Sequence, residues 1–86
     1  MGIAVLEALL QQRKVDPRKI ETIKKVYIQI SQSKVPLDDE AIFDKVFERY
    51  VAGESTHASR LSTALNILLD NNLIRRDLVD GTYLLY

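Results

Sequence analysis

Ser55, Thr56, His57, Ser59, Arg60, Thr63 and Asn66 fall in a stretch, residues 55–69, that contains no carboxylate. Hydroxyl, amide and guanidinium groups can hydrogen-bond phosphate oxygens and base edges, and without nearby acid an anion meets no repulsion. Arg75 and Arg76 add two cations further along. The same side chains do not assemble a catalytic set. With one histidine and no cysteine, there is no thiolate nucleophile and no His/Cys ligand set for a metal. Ser55, Ser59 and Ser62 have only His57 nearby, with no acid evident to orient it. Three glycines in the whole chain leave no Gly-rich loop to cradle a nucleotide phosphate. Neither enzymatic activity nor a cofactor is expected. The competing account of residues 55–69 is an ordinary solvated helix face, so the elements that hold them decide.

Eighty-six residues suffice for one domain, and 47% hydrophobic with 28% charged residues is a globular composition. The formal net charge is zero. That disfavours strong nonspecific binding of a polyanion, which draws its affinity from cations. The charge is nevertheless uneven. Residues 1–35 carry seven bases and three acids, 36–54 two and six, and 55–86 three of each. No apolar run approaches the ~20 residues of a membrane helix, and Glu7 interrupts the only candidate leader. A cysteine-free chain fits a cytoplasmic or nucleoid-associated setting.

Four helices and a hairpin follow from periodicity and capping. Ile3, Leu6, Leu9 and Leu10 have helical spacing, which predicts a leading helix over 2–14 ending at Arg13-Lys14. Asp16-Pro17 reads as an N-cap and a first-turn proline; Ile20, Ile23, Val26, Tyr27 and Ile30 then extend a helix over 17–31. Lys34-Val35-Pro36 should be extended. Asp38 can cap a helix over 38–52, with Leu37 stapled on Ile42, Asp39 and Glu40 at its positive end, and Gly53 at its close. Ser55 or Thr56 caps a helix over 55–71 that buries Ala58, Leu61, Ala64, Leu65, Leu68 and Leu69. Strands over 73–79 and 82–86 flank Asp80-Gly81, a two-residue hairpin signal.

Helix, extended piece, capped helix, turn, helix and hairpin is the order of a winged helix-turn-helix. The leucine-rich run from Ala58 to Leu69, leading through Asn72-Leu73-Ile74-Arg75, resembles the close of such domains, with Asn72 where glycine is frequent. Val35-Pro36-Leu37 entering Ile42-Phe43-Asp44-Lys45-Val46-Phe47 is similar to the C-terminal winged-helix domain of archaeal origin-recognition initiators, and to small archaeal or viral regulators. The expected fold is therefore mainly α with a small β-hairpin, a single winged-helix domain over 1–86 with one additional N-terminal helix. The resemblance implies a duplex-DNA-binding transcriptional regulator or replication-initiation module.

On that reading the helix 55–71 lies in the major groove, and Ser55, Thr56, His57, Ser59, Arg60, Thr63, Asn66, Arg75 and Arg76 touch DNA. Arg13, Lys14, Arg18, Lys19, Lys24 and Lys25 form a basic cluster that either flanks the duplex or simply keeps the surface solvated. Asp77 and Asp80 make the hairpin tip a poor minor-groove probe. The apolar side of residues 3–14 packs either on the domain's own core or, as a homodimer contact, on a second copy, the latter slightly preferred, and Tyr83, Leu84, Leu85 and Tyr86 are either a protein-partner site or part of the core. The alternative function is a protein-protein interaction winged helix within a larger complex.

Overall fold

The computed structural model describes residues 2–47 and 55–85, with side chains described from Ser59 onward in the second segment. In chain order the elements are α1 (Ile3–Gln12), α2 (Pro17–Gln32), β1 (Leu37–Asp38), α3 (Asp39–Phe47), α4 (Ser55–Asp70), β2 (Ile74–Asp77) and β3 (Thr82–Leu85). This is a mainly helical domain with a small antiparallel sheet, in a winged-helix-like order. The far end of the expected third helix, with Tyr50, Val51 and Gly53, lies outside the described residues.

The apolar periodicity becomes one core. Leu6 and Leu10 of α1, the Ile20–Ile30 stripe of α2, Ile42 and Phe43 of α3, and Leu61, Ala64, Leu65 and Leu68 of α4 are all buried together. Helix α2 is central: α1, α3, α4 and β3 all pack on it. Its start is capped as expected, the Asp16 carboxylate accepting the Arg18 N–H at 2.9 Å with Pro17 in the first turn. Asp38 likewise accepts the Ala41 N–H at 2.8 Å, while Leu37 and Ile42 sit together in the core.

Helix α1 stops at Gln12, short of the expected 14, because the chain turns into a left-handed cap. Lys14 has φ 59°, its N–H bonds the Gln11 carbonyl, and the Val15 N–H reaches back to Leu10. The same pair of bonds closes α4. Asn72 has φ 58°, its N–H bonds Leu69, and the Leu73 N–H bonds Leu68. Both are Schellman caps, in which a residue after the helix adopts the left-handed conformation and satisfies two orphan carbonyls. Asparagine suits that conformation; lysine gives up free energy to adopt it.

The sheet departs from expectation in two ways. Leu37–Asp38, expected only as a helix entry, pairs with Tyr83 and Thr82, so the strand order is β1-β3-β2 and the C-terminal strand is central. The hairpin turn is also longer than the two residues Asp80-Gly81. Its last pair is Asp77↔Thr82, leaving Leu78, Val79, Asp80 and Gly81 as the loop. The Asp77 carboxylate accepts the Val79 and Asp80 N–H groups at 2.9 and 3.4 Å, and its carbonyl accepts the Gly81 N–H at 2.8 Å. Those bonds pull residues 78 and 79 out of the strand expected to run to 79. Gly81, at φ 66°, completes the turn.

Two expected partner surfaces change character. The face of α1 offered for homodimerisation is spent within the chain, since Leu6 and Leu10 are fully buried. Of the C-terminal run, Tyr83 is buried and Leu84 half-buried, leaving Leu85 exposed; Tyr86 lies outside the described residues. A central strand must bury its inward side chains, and the two-residue β1 is what makes β3 central. No described helix is long and apolar enough to cross a membrane.

Candidate nucleic-acid interface

Helix α4 holds the candidate face because its leucines pin it against α2 and leave the opposite side to solvent. Ser59, Arg60 and Asn66 are exposed and Thr63 is half-buried. Ser55, Thr56 and His57 belong to the first turns of the same helix, and their side chains lie outside the described residues. The expected polar face therefore exists wherever the structure describes it.

Its two edges differ in charge. Along one, Ser59, Arg60 and Thr63 share a groove of about 530 Å³ with Arg18, Lys19 and Thr22 from the start of α2. Along the other, Ser62 and Asn66 border a cavity of about 280 Å³ whose far wall holds Asp39, Glu40 and Tyr83. An anion approaching α4 is drawn to the first edge and repelled from the second.

The acidic edge is more than a helix cap. Asp39 and Tyr83 line the same cavity. Burial first, then the nearby Asp39 carboxylate, push the Tyr83 pKa above its ordinary value, with Arg76 acting in the opposite direction. The Arg76 guanidinium stands 5.7 Å from the Tyr83 ring centroid, within cation–π range. Arg76 thereby belongs to a Tyr83-centred cluster on the side of Asp39.

Arg75 and Arg76, adjacent in sequence, do not act as a pair. Successive strand residues face opposite sides of the sheet, and in register Arg75 meets Leu84 while Arg76 meets Tyr83. Both are exposed, but they aim at different surroundings.

The basic cluster of the N-terminal half is likewise divided. Lys24 is held by Glu7 at 3.3 Å and Glu21 at 3.4 Å, tying α1 to α2. The hydrogen bond to Glu7, with Glu21 adding attraction, holds its pKa above the ordinary lysine value. That ammonium serves the fold. Arg18 and Lys19 instead stand beside α4, where spacing along α2 alone could not put them. The sequence signal for this role is slight: two cations immediately after a capped proline, a placement that does not favour the positive end of a helix dipole and therefore calls for another reason.

Among the described residues there is no group of three His, Cys, Asp or Glu side chains that could hold a metal ion. The tip loop exposes two apolar side chains, Leu78 at 87% and Val79 at 93%, between the acids Asp77 and Asp80. No protein-family model, curated protein or solved structure matches this chain.

Proposed function

We propose that the protein is a duplex-DNA-binding winged-helix protein, a transcriptional regulator or replication-initiation module that lays α4 in the major groove. One observation carries the reading. The solvent side of α4 presents hydroxyl, amide and guanidinium groups, its residues 55–69 include no acid, and two further cations from α2 stand at its edge. A helix in the major groove runs between two rows of phosphates, and such a surface can bond both phosphates and base edges. The wing contributes less, because Asp77 and Asp80 are repelled by phosphate. A cytoplasmic or nucleoid-associated location goes with this role.

Selection of bound oligonucleotides from a random duplex pool, followed by anisotropy titration of the selected sequence, tests the proposal. Arg60→Ala should weaken binding about 5- to 150-fold, the range for losing one good base or phosphate contact. Failure to enrich any duplex at low salt refutes it.

The second reading, an interaction module in a larger complex, is favoured by the tip. Leu78 and Val79 stand in solvent on a wing that carries acids in place of cations. Apolar side chains that exposed suit a protein partner better than a phosphate backbone.

A further inference from the structure

We infer that the groove between the start of α2 and the middle of α4 is a phosphate-binding site, which on a duplex holds a backbone phosphodiester. The duplex part of this inference rests on the DNA-binding reading above; the phosphate site does not.

The electrostatics are asymmetric in a way the fold did not need. Arg18, Lys19 and Arg60 meet a single carboxylate there, that of Asp16, and Asp16 Oδ1 already accepts the Arg18 N–H at 2.9 Å. None of the three cations has an ion-pair partner among the described residues, whereas Lys24 on the same helix has two. Thr22, Ser59 and Thr63, three residues with hydroxyl side chains, line the same space. Beneath them Ile23 and Ala64, each 1% exposed, close the floor.

Side chains that carry guanidinium, ammonium and hydroxyl donors, brought to one groove by two helices, suit the several oxygens of a phosphate. A carboxylate ligand would leave several of those donors unused. At about 530 Å³ the groove also has room for the sugar that bears the phosphate. With Asp39 and Glu40 on the far side of α4, the site also sets an orientation: the α2 edge faces the phosphates and the α3 edge faces away.

The test follows backbone amides of the full chain by NMR during titration with inorganic phosphate, a 5′-mononucleotide and a short duplex. Wild type, R18Q/K19Q and, as a charge-matched control at exposed lysines away from the groove, K34Q/K45Q are compared, each checked for an unchanged melting curve. Inorganic phosphate should move the amides of Thr22, Ser59 and Thr63 in wild type and K34Q/K45Q but not in R18Q/K19Q. On duplex, R18Q/K19Q should flatten the slope of log K against log salt by about two, roughly one per cation removed. Phosphate shifts that are absent or centred elsewhere overturn the inference, as does an R18Q/K19Q protein that keeps both the shifts and the slope. If duplex fails to bind wild type while phosphate and mononucleotide still move the groove amides, the DNA reading falls. The site then stands as one for a small phosphorylated ligand.

Discussion

Leu10→Ala should destabilise this domain severely, although it changes a residue on an element that winged-helix order does not require. Leu10 is 0% exposed in α1 and packs within the core built on α2. Truncation removes three carbons, worth about 2.4 kcal/mol at ~0.8 kcal/mol per buried CH₂. The cavity left behind brings the expected loss to about 3 to 4 kcal/mol, as for other buried leucines. A chain of 86 residues has about 4 to 13 kcal/mol in total on the usual per-residue scale. At about 4 to 8 °C per kcal/mol, the midpoint should fall by ~12 to 32 °C. Val5, on the same helix but 58% exposed, provides the control, and Val5→Ala should stay within about 0.5 kcal/mol. Thermal and urea denaturation followed by circular dichroism, at two protein concentrations tenfold apart, measures both. If Leu10 instead served a homodimer, the wild-type midpoint would rise with concentration and L10A would abolish that dependence. A concentration-dependent wild type, or an L10A protein that melts like V5A, refutes the assignment of α1 to the chain's own core.

Two of the three left-handed positions among the described residues, Lys14 and Gly81, separate backbone strain from packing. Lys14→Gly should raise stability by about 1 kcal/mol by relieving an L-residue at φ 59°. Gly81→Ala should cost about 1 to 2 kcal/mol, since an added Cβ meets no atom within 4 Å and only the backbone conformation opposes it; chemical denaturation reads both. Asp38→Ala removes the cap on the Ala41 N–H, and a loss of about 1 kcal/mol is expected in the same assay. Tyr83 supplies the pH dependence. Its pKa is raised in the fold, so its contribution is intact at neutral pH and is lost as pH climbs past the unfolded value near 10.0. Wild type should therefore lose more stability than Tyr83→Phe between pH 9 and 11 (a window chosen about that value), and parallel losses would contradict the burial and Asp39 contact proposed as the cause.

The asymmetry of α4 bears on how DNA would be approached. A neutral protein gains little from long-range attraction, so local charge placement must orient the encounter. Basic groups on the α2 edge and acids on the α3 edge create a local dipole across the candidate face, and that dipole favours one docking orientation over its reverse.

Much of this was determined by local chemistry. Helix identity followed from apolar spacing of three and four, and helix starts followed from Asp16-Pro17 and Asp38, because a cap is a bond between residues two or three apart. Asn72 in the left-handed conformation was legible for the same reason. Lys14 was not, since its composition argues for helix and only the bonds made by Gln11 and Leu10 pull it out. The tip turn is longer than Asp80-Gly81 alone implies because Asp77, four residues from Gly81, captures the amides of Val79 and Asp80. Everything that decides the candidate site is longer-ranged. The pairing of Leu37–Asp38 with Tyr83 and Thr82, the assembly of Arg18 and Lys19 beside Arg60, and the placing of Asp39 against Tyr83 each join residues distant in the chain. Such neighbours depend on how helices cross, and crossing is set by packing of the whole core. No single segment encodes it.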